Sequence, residues 1–163
     1  MNRTFISVLA LAVVVAALCV NATSKQIEAN KPKQNGRDAK IIAAVRAVLE
    51  AQVAAWNLGD IEGFMNGYAR SNDTTFVSGD SVTRGWQTVL DRYKKSYNSR
   101  ERMGTLAFTE LEITPTNRNM AIALGRWRLT RAADSPHGRF TLVFRRTKDG
   151  WRIVHDHTSS ASQ

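Results

Sequence analysis

Cysteine is nearly missing from this chain: Cys19 is the only one among 163 residues. A fold stapled by disulfides is therefore excluded, and a hydrophobic core must hold the domain together. Proline is scarce too, at three residues, and glycine stands at ten. With 43% hydrophobic and 23% charged residues, wholesale disorder, a fibre and a membrane bundle are all excluded. Acidic residues are outnumbered, 14 against 23 basic, for a formal charge of +9. That balance favours acidic partners. The basic residues are scattered rather than clustered, however, so nucleic acid is not expected as a partner. No internal repeat is present, and the length suits one domain.

The long hydrophobic run is confined to the start of the chain. Arg3 precedes an almost uninterrupted apolar stretch from Phe5 to Val20, and Val20-Asn21-Ala22 offers a cleavage site. This layout predicts a signal peptide over residues 1–22 and a secreted or periplasmic protein. The run is short for a membrane span, which takes roughly 20 apolar residues. No stable span is expected after cleavage, and an uncleaved anchor is the competing reading. Leu18 before Cys19 is a poor match to the small residue that precedes a lipidated cysteine. Residues 23–36 are polar and end in Lys31-Pro32-Lys33-Gln34-Asn35-Gly36, which predicts a flexible linker. The folded domain is expected over 37–160.

Ile41, Val45, Val48, Leu49, Val53 and Trp56 recur at helical spacing. Asn57-Leu58-Gly59-Asp60 then predicts a tight corner, with Asp60 capping a second helix that carries Ile61, Phe64, Met65 and Tyr68. Gly79-Asp80, between Thr74–Ser78 and Val82–Gly85, predicts a short hairpin. Trp86, Val89, Leu90, Tyr93 and Tyr97 mark a third helix. Four alternating stretches come next, over 106–113, 120–130, 140–146 and 151–158. The first of them breaks parity at Glu110, which predicts a bulge. Helices first and strands afterwards argue an α+β fold, with three N-terminal helices on one face of a mostly antiparallel sheet.

The run Ala55-Trp56-Asn57, Gly59-Asp60, Phe64, Tyr68, Phe76-Val77-Ser78-Gly79, Gly85-Trp86, Tyr93 and the closing Gly150–Ser159 resembles the SnoaL-like branch of the nuclear transport factor 2-like superfamily. The resemblance implies a cone: a strongly curved sheet wrapped around three helices, open at one end as a pocket, commonly dimerised through the outer sheet face. The superfamily holds ketosteroid isomerases, dehydratases, cyclases and pure scaffolds, so the fold alone assigns no reaction. Carried over by motif, the isomerase tyrosine falls on Gln52, the base near Ser78 and the buried acid near Leu142. None of these has the required group. The closing Val154-His155-Asp156-His157 is also similar to the association domain of calcium/calmodulin-dependent protein kinase. That likeness implies a pocket arginine at Arg128 for small carboxylates. Two further arginines of that pocket would fall at Leu142 and Thr158, where this chain has none.

The candidate site residues come from these patterns. Strict alternation places Trp151, Ile153, His155 and His157 on one face of the last strand, and Arg152, Val154, Asp156 and Thr158 on the other. Asp156 is a candidate acid-base, or the partner of Arg128 in a structural ion pair. His155 and His157 are alternative acid-base candidates. A metal would need a third ligand beyond this pair, and neither metal nor cofactor is expected. Arg128, Tyr68, Tyr93, Trp56 and Asp156 are the candidate ligand-binding residues. Three readings remain open. One is an exported protein that binds a small acidic or apolar molecule. The second is an isomerase, dehydratase or hydrolase using Asp156 or the histidines. The third is a non-catalytic homodimeric scaffold.

Overall fold

The computed structural model describes residues 35–161. The expected signal peptide, and the expected linker up to Gln34, lie outside the described residues. The chain divides into two units, Met1–Ala39 and Lys40–Gln163. Of the first, residues 35–39 are described and are helical. The second unit holds the sheet and the core.

In this second unit helix α1, residues 40–57, buries Ile41, Val45, Leu49, Gln52 and Trp56, spaced four, four, three and four apart. Gly59 reverses the chain with a φ of 84°, where a side chain would be strained. Asp60 Oδ1 then accepts from the Gly63 amide at 2.7 Å and caps α2, Ile61–Met65. β1, Thr75–Ser78, and β2, Ser81–Arg84, form the expected hairpin about Gly79-Asp80. Helix α3 spans Trp86–Ser96. A further short helix, α4, Arg100–Met103, was not foreseen. Ser99 caps it, and the Arg100 guanidinium donates to the carbonyls of Trp56 and Asn57 at the exposed C-terminal end of α1.

Four strands complete the unit: β3 Thr105–Pro115, β4 Met120–Thr130, β5 His137–Thr147 and β6 Gly150–Thr158. The six strands form one curved, open sheet in the order β2-β1-β6-β5-β4-β3. Every pairing is antiparallel except β1 with β6. The core lies between the helices and the inner sheet face, where Ala121, Ala123, Leu129, Phe140, Leu142 and Phe144 alternate with outward residues. Among the described residues, no helix is long and apolar enough to cross a membrane.

Two bulges shape the sheet. The pairing skips from Thr109 to Glu112 opposite Gly125, and Glu110 takes a φ of 52°, which places the first bulge where parity breaks in the sequence. The second was not foreseen. Val143 pairs with His155 and the next residue, Phe144, with Ile153, so Val154 is an extra residue on β6. Strict alternation therefore fails along this strand. Trp151 and Ile153 are buried, and three residues beyond Ile153, rather than an even number, Asp156 is buried on the same face.

Candidate functional site

The sheet and helices enclose a cavity of about 170 Å³. Among the described residues, nine aromatic side chains contribute to its walls, and the only charged lining groups are Asp156 and Arg92. Their packing is continuous: Trp56 meets Phe64 edge-on at 5.1 Å and Tyr97 at 4.7 Å, while Tyr93 lies 5.7 Å from Phe76. Such edge contacts match the positive ring edge to the negative face of a neighbour.

Asp156 is the chemical focus, at 3% exposure. Tyr68 follows α2, where Ala69 donates to the Ile153 carbonyl and Ile153 to that of Gly67, so the backbone ties this segment beside β6. The Tyr68 hydroxyl donates to Asp156 Oδ2 at 2.6 Å, and the Thr158 hydroxyl donates to Oδ1, also at 2.6 Å. Burial raises the Asp156 carboxyl to about 6 from its usual range; the hydrogen bonds from Thr158 and Tyr68, and the charge of His157, act the other way. The same burial raises Tyr68 and Tyr93 well above the usual phenol range, with the Asp156 charge adding to it. Both tyrosines are hydroxyl donors, not phenolates, at neutral pH.

Tyr68, Tyr93, Trp56 and Asp156 all line the cavity. Arg128 does not: it is exposed on the outer face of β4, beside the inward Leu129. The expected ion pair between Arg128 and Asp156 is not formed, because one residue points out of the sheet and the other into the cavity. His155 is half-buried and His157 exposed, and neither lines the cavity. Both lie opposite Asp156 and so do not share a face with Trp151 and Ile153, since Val154 resets the alternation. Among the described residues, no three His, Cys, Asp or Glu side chains are gathered as a metal would require.

Arg92, Ser96 and Thr158 were not singled out from the sequence as site residues. Arg92 and Ser96 stand one helical turn apart on α3 and both reach the cavity. The Arg92 guanidinium donates to Thr83 Oγ1 at 3.0 Å and lies 4.9 Å over the Phe76 ring. Gln52, Ser78 and Leu142, the positions to which the isomerase groups map, line the cavity as well. The site thus keeps the cone's interior but places its acid on β6 and its hydroxyls at Tyr68 and Tyr93.

Residues 45–163 match the SnoaL-like domain family. An NTF-2-like protein of unknown function from Shewanella oneidensis MR-1 is 36% identical, with a TM-score of 0.70 over 72% of this chain and 98% of that one. A candidate scytalone dehydratase from Novosphingobium aromaticivorans DSM 12444 has a TM-score of 0.67 at 7% identity, over 78% of this chain and 89% of the other. A candidate calcium/calmodulin-dependent protein kinase II association domain from Xanthomonas campestris has a TM-score of 0.59 at 15% identity, covering 73% and 86%. The last two share the fold alone. No curated protein matches the chain.

Proposed function

The chain belongs to the SnoaL-like family of the nuclear transport factor 2-like superfamily, and on that premise we propose that it is an exported protein that binds a small, largely apolar molecule inside its cone. One observation carries the reading: Asp156 is a buried carboxylate set in an aromatic cavity wall. Ligand sites have this character, a mostly apolar enclosure with a few convergent polar groups. A cavity of about 170 Å³ suits a ligand of one ring, since a cavity of about 150 Å³ holds benzene. The polar end of the ligand meets Asp156. The acidic ligand suggested by Arg128 loses its support, because that arginine faces away from the cavity. Export rests on the layout of residues 1–22.

The test is a thermal-shift and calorimetric screen of single-ring compounds, run against the wild type and against Ser78→Phe, which fills the cavity. Hits that stabilise the wild type and not the variant support the reading. A wild type that no compound stabilises sinks it and leaves a scaffold.

A second reading is favoured by the state of Asp156. A carboxyl raised to about 6 by burial is poised near neutral pH for proton transfer, and Tyr68 and Tyr93 are hydroxyl donors beside it. An isomerase or dehydratase step would use Asp156 as its base. We also propose a homodimer through the outer sheet face, where Ile122 and Leu124 are 39% and 37% exposed. Light scattering on the purified protein decides it, a monomeric mass being the adverse result.

A further inference from the structure

Among the described residues, no cation forms an ion pair with Asp156. Its partners are two neutral hydroxyls. A buried carboxylate in an apolar setting is normally paired with a cation or neutralised. The groups facing it come from every packed element. Tyr68 comes from the segment after α2 and Tyr93 from α3. Phe76 sits opposite it on β1, and Leu142 on β5. On its own strand stand Thr158 and, on the outer face, His157. Among the described residues, Arg92 is the one cation that lines the cavity, and it is engaged elsewhere, donating to Thr83 and lying over Phe76.

Each Asp156 oxygen accepts one internal hydrogen bond, and a carboxylate offers about four acceptor positions. Acceptor capacity is left over, and among the described residues no further hydrogen bond to the carboxylate is formed. Tyr68, Tyr93, Phe76 and Phe64, packed ring against ring, line the same cavity as the carboxylate. An aromatic surround with a buried negative charge is the chemistry that receives an organic ammonium ion, through the ring quadrupoles and a charge-assisted hydrogen bond.

We infer that the cavity is a binding site for a small organic ammonium ion of about one ring, seated with its N–H groups on Asp156 and supplying a counter-ion to the carboxylate. The inference rests on the ligand-binding reading above and names the class of ligand.

Three ligands of nearly equal shape separate the possibilities: benzylamine, protonated at neutral pH, benzyl alcohol and benzoate. Affinities are measured by calorimetry on the full chain at pH 7.5 and pH 5, for the wild type and for Asp156→Asn. Benzylammonium is expected to bind roughly tenfold more tightly than benzyl alcohol at pH 7.5, from one charge-assisted contact and the ring cage. Its affinity is expected to fall about tenfold between pH 7.5 and 5 as Asp156 takes up a proton, while that of benzyl alcohol holds. In Asp156→Asn the preference for the ammonium disappears. The pH comparison on the wild type stands even if the variant does not fold. Preferential binding of benzyl alcohol or benzoate overturns the ammonium assignment and leaves the cavity a ligand site. Binding of none of the three overturns the ammonium assignment, and only a failed wider screen removes the ligand-binding reading with it.

Discussion

The Tyr68 hydroxyl donates to Asp156 Oδ2 at 2.6 Å, joining residues 88 positions apart. The bond links the end of the helical half of the domain to its last strand and does so inside the cavity wall. Tyr68→Phe removes one of the two donors that stabilise the ionised carboxyl. At pH 7.5, where the acceptor is charged, the loss is expected to be about 2 kcal/mol of stability. Below pH 5 the acceptor is neutral and the same bond is worth less, so the deficit shrinks. Urea denaturation of both proteins at pH 7.5 and pH 4.5 checks it. A deficit that is equal at both values would show that Asp156 does not accept this bond as a carboxylate.

Asp156→Asn tests the cost of the buried charge itself. Burial raises the folded carboxyl to about 6 from a usual value of 3.8. The extra stability given by this proton is fully present below about pH 4 and is lost as the pH rises through 6. Above that, the wild type carries an ionised, buried carboxylate that the asparagine variant lacks. The wild type is therefore expected to gain about 2 kcal/mol relative to Asp156→Asn on going from pH 7.5 to pH 4. Chemical denaturation across that range measures the difference. Parallel pH profiles for the two proteins would mean an unshifted carboxyl.

Most of the fold was legible because its signals are local. Helical spacing marked the buried face of α1, Gly59-Asp60 marked the corner, and Gly79-Asp80 marked the hairpin. The bulge at Glu110 showed as a broken alternation. The bulge at Val154 did not, because Ile153, Val154 and His155 read acceptably in either register, and only pairing with Val143 and Phe144 decides which residue is extra. That single insertion moved Asp156 onto the inner face with Ile153. The site suffered more than the fold for the same reason. Tyr68, Tyr93 and Trp56 were found as aromatic members of helical stripes, whereas Arg92 belongs to the polar side of α3 and reaches the cavity by its length. Arg128 was placed by family likeness, and the simple alternation of β4 already sets it opposite Leu129.

Asn57 is expected to matter for stability more than its place at the last residue of α1 suggests. Its side chain donates to the Leu106 carbonyl at 3.1 Å and accepts from the Leu106 amide at 2.8 Å. The end of α1 is thereby clamped to the start of β3, as a neighbouring strand would be. Asn57→Ala removes both bonds and leaves a part-buried donor and acceptor to water, at about 2 kcal/mol. Asn57→Asp keeps the acceptor, loses the donor and should recover part of the loss. A urea midpoint that falls for alanine and partly returns for aspartate, with an unchanged slope, is the expected pattern.

Gly138→Ala should disturb the cavity from outside it. A methyl group at Gly138 would meet the backbone carbonyl of Ser159, which cannot turn aside as a flexible side chain can. That carbonyl accepts from the Trp127 indole at 2.9 Å, and the Ser159 amide donates to the Arg139 carbonyl at 2.9 Å. Displacing Ser159 therefore releases Trp127, which lines the cavity, and loosens the chain after β6 near Ser160, another lining residue. The overpacking is expected to cost about 2 kcal/mol. Trp127 emission should shift to the red as its indole loses the carbonyl and meets water. The assignment is checked by repeating the measurement in a Trp127→Phe background, where the shift should vanish while the stability loss from the Ser159 clash persists.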